Sequence, residues 1–267
     1  MTDTLAHAVV ARSFLDSARI IKEDGRTSVL TGTLDRVSPP IDVFLKTIRL
    51  SGRAGALRRW LRLTPGEAQW RGLELLRSRG FAAAEPLVLF DGRDDHGQVC
   101  EVLVTRRVPG KTLLRHMHDQ DLPPRAEHDL ARAAGELISQ MRERRIRNRD
   151  LKPSNLIVEE GAGDQGSGTS QPMRLVQIDA SGIRRGHSFS NTMDMLSSLL
   201  IEPTGCACPP RLTLRLRAFL AAMPAHRGGK PLGRKMRRLV WHALERMIRD
   251  HGDPTPRVNP LEHPAES

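Results

Sequence analysis

The hydrophobic pattern of this 267-residue chain changes period once, at Val108-Pro109-Gly110. Before that breaker lie four short runs rich in β-branched and apolar residues: "TSVLTGTL" (27–34), "IDVFLKTIRL" (41–50), "EPLVLF" (85–90) and "QVCEVLVT" (98–105). The first two are separated by "DRVSPP" and the last two by the turn-rich "DGRDDHG", so they read as paired strands. One helix interrupts them, "TPGEAQWRGLELLRSRG" (64–80). Thr64 suits its N-cap, Pro65 its first position and Gly80 its stop, with Trp70, Leu73 and Leu76 at helical spacing.

After the breaker apolar residues recur every three to four positions. Helices are predicted in "LLRHMH", "AEHDLARAAGELISQMRERR", "TMDMLSSLL", "RLTLRLRAFLAAM" and "GRKMRRLVWHALERMIRD". One hairpin, "NLIVEE" with "MRLVQID", encloses the Gly/Ser-rich insert "GAGDQGSGTSQP" (161–172), read as a loose surface loop. The fold class is therefore α+β, with two lobes: a small antiparallel-sheet lobe with one main helix over 1–105 and a mostly helical lobe over 111–252. A hinge at 106–110 joins them, and a flexible tail is predicted at 253–267.

Charge bounds the partners. The formal net charge is +11, so the surface should attract polyanions: nucleotides, anionic lipid heads or phosphorylated sugars. Nucleic acid fits less well, because aromatic residues make up only 3% and tyrosine is absent, leaving few stacking platforms. "RLSGRAGALRRWLRL" and "GRKMRRLVWHALERMIRD" interleave arginines with Leu, Trp and Val. They read as amphipathic helices with solvated arginine faces, or as docking surfaces for anionic lipid or saccharide with Trp60 at the interface. No run approaches the roughly 18 apolar residues of a membrane span, and the acid at Asp3 argues against a secretory signal. Cys206-Ala207-Cys208 lacks a second pair to complete a zinc site. The expectation is a cytoplasmic protein, peripheral on the inner membrane face.

Three polar elements stand out by their order. Lys46 ends the apolar "VFLK", Asp150 is followed by Lys152 and Asn155 in "RDLKPSN", and Asp179 follows a strand in "LVQIDASG". Each alone is commonplace. Together they match what phosphoryl transfer requires: a lysine for phosphates, a carboxylate for the acceptor hydroxyl, and oxygen ligands for magnesium. Asp150 would take or orient the hydroxyl proton and Lys152 would offset charge on the transferring phosphoryl group. Asn155 and Asp179 would bind Mg2+, and Lys46 would meet the α and β phosphates of ATP. The backbone of Arg106 to Val108 would face the adenine.

On these residues the chain resembles the protein-kinase-like superfamily, and looks most like the bacterial lipopolysaccharide kinase (Kdo/WaaP-type) family. The likeness runs through "KEDGRTSVLTG", "DVFLKTIRLSGRAGALRRWLR", "EAQWRGLELLRSRGF", "LVTRRVPGKTLL", "NRDLKPSNLIV", "IDASGIRRG" and "MDMLSSLL". It implies transfer of the γ-phosphate of ATP to a hydroxyl, commonly on a core sugar of lipopolysaccharide. Asn148 stands where such loops usually carry histidine, and Ala180 where phenylalanine usually follows the magnesium aspartate. The phosphate cover is reduced to Gly25 and Gly32.

Aligning on Trp70 and Gly80 puts Gln69 where a glutamate would pair with Lys46. Glu67 and Glu74 lie about 200° and about 140° away round an ideal helix, so Glu67 could serve only if the helix began irregularly. By the same resemblance Asp194 would brace the catalytic loop. Two other readings follow from the residues: a Ser/Thr protein kinase, from the lysine two places after Asp150, and a pseudokinase that binds nucleotide without transfer.

Overall fold

The computed structural model describes residues 14, 18–35, 37–50, 52–94, 97–159, 174–186, 188–223, 233–256 and 259–262. The predicted insert loop at 161–172 and the N-terminal signal reading lie outside them, as does part of the predicted tail. The chain divides into two compact units. A sheet unit holds Met1–Val108 with Ile178–Ser181, and a helical unit holds Pro109–Gln177 with Gly182–Ser267.

The sheet unit is built on five antiparallel strands: β1 (Arg19–Asp24), β2 (Thr27–Leu34), β3 (Ile41–Arg49), β4 (Pro86–Arg93) and β5 (Val99–Arg106). Their order is β1-β2-β3-β5-β4. Among the described residues α1 (Gly52–Trp60) and α2 (Pro65–Ser78) accompany them. Strand β1 was not among the predicted strands: "RIIKED" lies at a sheet edge and its outer residues are exposed, so no apolar alternation marks it.

Because side chains alternate across a strand, the register sorts the sheet into two faces. Val43, Leu45, Val102 and Val104 point to one, where they pack with Leu34, Val88 and Phe14. Lys46 pairs with Leu103 and Ile48 with Glu101, which puts the lysine and the glutamate on the opposite face. Helix α2 packs against β4 and β5 and buries Gly66, Gln69, Gly72, Leu73 and Leu76. Trp70 is half-buried, and Gln69 takes the inward place. The helix starts regularly, Thr64 accepting from the Glu67 N–H with Pro65 in the first turn. It ends before Gly80, whose φ of 73° is left-handed.

The helical unit contains α3 (Leu113–Asp119), α4 (Pro124–Glu143), α5 (Phe189–Gly205), α6 (Leu212–Ala222) and α7 (Arg234–Arg249). The predicted hairpin forms from β7 (Leu156–Glu159) and β8 (Arg174–Gln177), while β6 (Ile146–Asn148) pairs with β9 (Ile183–Arg185). That second ribbon has three residues a side, too few for a periodic signal. Helix α5 runs past the predicted stretch to Gly205, carrying Pro203 in its last turn and a Ser188–Asn191 capping box at its start. Leu114, Ile138, Met141, Ile146, Leu151, Leu156, Met195 and Phe219 are among the helical unit's largest fully buried side chains. The described tail residues are tied to this unit. The Leu261 carbonyl accepts from Arg115 (3.2 Å), and Gly205 lies against the Pro254 carbonyl.

Helices α4 and α6 approach closely at Gly135, where a Cβ would overlap the Ala218 carbonyl and the Ala221 methyl. Alanine gains about 1 kcal/mol over glycine in an open helix, whereas overpacking costs about 1–3 kcal/mol. Gly135→Ala is therefore expected to lower the unfolding free energy in urea titration. A stabilised variant would show that the helices have room for the methyl.

Candidate active site

In the sheet unit three polar side chains meet. The Lys46 ammonium donates to Gln69 Oε1 (2.8 Å) and to Asp179 Oδ2 (3.0 Å). Asp179 Oδ1 accepts from the Ser181 N–H at 2.9 Å. Burial alone would push the Asp179 carboxyl up. The Lys46 ammonium and the Ser181 bonds outweigh it and hold the group below its usual value.

Two features of α2 fix this cluster. The Gln69 amide reaches the Ile178 carbonyl at 3.5 Å, and Gly72 lies directly over Ala180. A Cβ at Gly72 would overlap the Ala180 carbonyl, so helix and segment touch backbone to backbone. The alternative of an inward-turning Glu67 is not what forms. Glu67 pairs with Arg71 at 3.0 Å along the helix, and Glu74 is exposed.

The start of α2 is held by a residue that sequence reasoning passed over. Glu101, 4% exposed, accepts from the Thr64 hydroxyl and from the Gly66 N–H (3.0 Å). A Cβ at Gly66 would lie 2.8 Å from its Oε2, so glycine lets the strand carboxylate reach the helix N-terminus. Burial pushes the Glu101 carboxyl up, and the two hydrogen bonds only partly offset this. A signal was present, since a lone acid inside "VCEVLVT" must find donors once the strand is covered on both faces.

The remaining expected nucleotide contacts have these places. Gly25 is at the tip of the β1–β2 hairpin, where Asp24 Oδ1 accepts from the Arg26 and Thr27 N–H groups. Gly32 is a packing glycine, since a Cβ there would sit 2.8 Å from the Phe14 ring. The Arg106 N–H donates to the Glu85 carbonyl (2.8 Å) and its side chain to the Glu85 carboxylate (2.7 Å). The Arg107 N–H donates to the Asp42 carbonyl (2.9 Å), whereas the Val108 N–H makes no bond among the described residues.

In the helical unit, Asp150, Lys152 and Asn155 share one loop. Asp150 Oδ1 pairs with the Lys152 ammonium at 2.7 Å. The Asn155 amide donates to the Asp150 carbonyl (3.2 Å) and approaches its Oδ2 (3.4 Å). The carboxylate stays open to solvent, 37% exposed. Asn148 is buried and connects the loop three ways. Its Oδ1 accepts from the Asp150 N–H (2.9 Å), its amide donates to Gln177 Oε1 (3.2 Å), and its N–H meets Met195 Sδ (3.4 Å). Gly182 allows this, because a Cβ would lie 2.8 Å from Asn148 Oδ1.

The expected brace from Asp194 is replaced. Asp194 is exposed, and its backbone carbonyl accepts from Ser197. Glu202, two turns further along α5 and 8% exposed, accepts instead from the Ser154 N–H (2.9 Å) and hydroxyl (2.6 Å). Burial pushes its carboxyl up, and the Ser154 bonds and nearby Lys152 offset this only in part. Cys206 and Cys208 are free. Burial, with Glu202 nearby, pushes the Cys206 thiol up to about 11, so it is protonated at neutral pH. Among the described residues no group of three or more His, Cys, Asp or Glu is placed to hold a metal, and no helix is long and apolar enough to cross a membrane.

No family model matches the chain, and no curated protein matches it. Among solved structures it is similar to WaaP in complex with acyl carrier protein, with a TM-score of 0.59 and 16% identity over 90% of each chain. The fold is thereby shown: an α+β protein-kinase-like fold with an antiparallel five-stranded sheet lobe and a helical lobe.

Removing the Glu101 carboxylate leaves buried donors without an acceptor, at about 1–3 kcal/mol for an orphaned group. Glu101→Ala is therefore expected to lower stability and to speed hydrogen exchange of the first amides of α2. Glu101→Gln, which keeps one acceptor, should do so less, and equal loss in both would count against the anchor. Glu202 carries a pH signature. Its raised folded pKa means the native state binds more protons than the unfolded chain just above the ordinary value of 4.5. The stability it gives is present below that value and declines as pH rises through the folded pKa. The stability difference between wild type and Glu202→Gln should shrink over that rise when measured by denaturant titration at stepped pH.

Proposed function

We propose that the chain is an ATP- and Mg2+-dependent phosphotransferase that moves the γ-phosphate to a hydroxyl on an anionic saccharide, a lipopolysaccharide core sugar or related envelope sugar. The observation that carries this reading is the braced loop that gathers Asp150, Lys152 and Asn155 within bonding distance of one another. The protein-kinase-like fold and the likeness to the Kdo/WaaP-type family support it.

The residues present suit the nucleotide and its metal. Asn155 commits its amide nitrogen to Asp150, which leaves its oxygen as an open acceptor. Asp179 is held in its charged form, and carboxylate and amide oxygens are the hard ligands magnesium takes. Bound Mg-ATP supplies the phosphoryl group and neutralises its charge.

The chain's own groups do the rest. Asp150 orients the acceptor hydroxyl and receives its proton. Lys152, now on Asp150, balances charge on the phosphoryl oxygens. Lys46 binds the α and β phosphates with Gln69 as its neutral support. Gly25 and Arg26 at the hairpin tip cover the phosphates, and the Val108 N–H serves the adenine. The acceptor class agrees with the net charge of +11, and with a cytoplasmic enzyme working at the inner membrane face.

Purified protein with labelled ATP and magnesium should label cell-envelope glycolipid. Asp150→Ala should reduce the rate by about a hundred- to ten-thousand-fold. A generic basic protein offered beside the glycolipid separates the alternatives. Label only in protein would move the reading to a protein kinase, and nucleotide binding without transfer to a pseudokinase.

A further inference from the structure

The end of α1 holds in water a group of side chains that folding ordinarily covers. Leu57 is 57% exposed, Trp60 79%, Leu61 46% and Leu63 62%. Leu57, Trp60 and Leu61 stand at i, i+3 and i+4, hence on one helix face, and Leu63 follows in the turn. A contiguous apolar group of this kind marks an interaction surface, unlike isolated exposed leucines.

This end is built, not frayed. The Leu61 N–H donates to the Leu57 carbonyl (3.0 Å), the Arg62 N–H to Arg59 (3.0 Å) and the Leu63 N–H to Arg58 (2.8 Å). The Arg71 guanidinium closes the turn on the Arg62 carbonyl at 2.7 Å. Arg62 takes a left-handed φ of 52°, a conformation that non-glycine residues adopt at a cost. The chain thus fixes its backbone in a turn that displays Trp60 and three leucines to solvent.

The surrounding charge identifies the occupant. Residues 51–63 contain no acid, and Arg58, Arg59 and Arg62 lie among the apolar residues. Arg59 is tied to Asp91 at 2.8 Å. Arg58 and Arg62 are exposed and have no acidic partner among the described residues. An indole with leucines, flanked by guanidinium groups, matches the boundary of an anionic bilayer. There the ring sits at headgroup depth and the arginines meet lipid phosphates. We propose that the α1 turn docks the chain on an anionic membrane surface, with Trp60, Leu57, Leu61 and Leu63 entering the headgroup region and Arg58 and Arg62 binding lipid phosphate. This docking goes beyond the proposed phosphotransfer and does not depend on it.

The test uses the full chain without nucleotide, sedimented with vesicles of phosphatidylcholine alone or mixed with phosphatidylglycerol. Binding is expected only to the mixed vesicles, with a blue shift of tryptophan emission. Trp60→Ala and the double variant Arg58→Glu/Arg62→Glu should each weaken binding by about tenfold or more. Trp60 is mostly solvent-exposed, so its loss leaves the fold intact, as circular dichroism would verify. Equal binding to both vesicle types overturns the proposal, as does binding that Trp60→Ala leaves unchanged. A dimer in solution that Trp60→Ala dissolves would also overturn it, assigning the turn to a second copy of this chain.

Discussion

The backbone contact between α2 and the segment Ile178–Ser181 governs the sheet unit. Gly72 and Ala180 are the two small residues that permit it, and the Gln69 amide adds a bond to the Ile178 carbonyl. At its other end α2 is fixed to β5 through Glu101. A helix held at its first turn and at its middle has little freedom left, so the inward position at Gln69 is set by the fold itself. The absence of a large residue at position 180 follows from the same contact. Small residues on both sides are the condition for bringing the Asp179 carboxylate to Lys46.

The neutral side chain at position 69 follows from charge. Lys46 and Asp179 together carry no net charge, and both are largely shielded from water. A glutamate at 69 would make these three side chains net negative, and a buried unpaired charge is costly. Glutamine gives Lys46 an acceptor at 2.8 Å without that cost. It also gives the Lys46 ammonium a neutral protein partner besides Asp179. Lys46, Gln69 and Asp179 satisfy one another, and the Asp179 carboxyl is held below its usual value.

Much of this architecture could be read from residues with strong local signals. Thr64, Pro65 and Gly80 delimit α2 by capping chemistry alone, and the alternating apolar runs locate four of the five strands in the main sheet. The order Lys46, Asp150, Asn155, Asp179 carried the superfamily resemblance. What escaped had no local signature. Strand β1 is an edge strand of mixed polarity, and the β6–β9 ribbon is shorter than any period. Glu202 looks like an ordinary acid in sequence, its partner 48 residues away. Glu101 is the exception, a lone acid within an apolar run whose partners 35 and 37 residues away the sequence does not name. Resemblance pointed to Asp194 as the brace, whereas burial selects Glu202.

The asparagine at position 148 is best understood through the same long-range bonds. The Asp150 carboxylate, for which a catalytic role is proposed, would have to be held closely in that role, since small displacements cost rate steeply. In this loop the Asp150 N–H is received by Asn148 Oδ1 two residues earlier, a local turn that asparagine forms readily. The other face of that amide is anchored to Gln177 at the end of β8, and the asparagine N–H rests on Met195 of α5. Further along, Glu202 fixes Ser154 by both its N–H and its hydroxyl. The loop is thus restrained before and after Asp150 by buried groups from β8 and α5. A histidine at 148 would supply one part of that restraint, and here asparagine with Gln177, Met195 and Glu202 supplies it. Buried polar networks hold position only when every member is satisfied. Among the described residues the Gln177 amide nitrogen has no hydrogen-bond partner, although its oxygen accepts from Asn148. The restraint that runs through Asn148 is therefore limited by how firmly Gln177 is itself held.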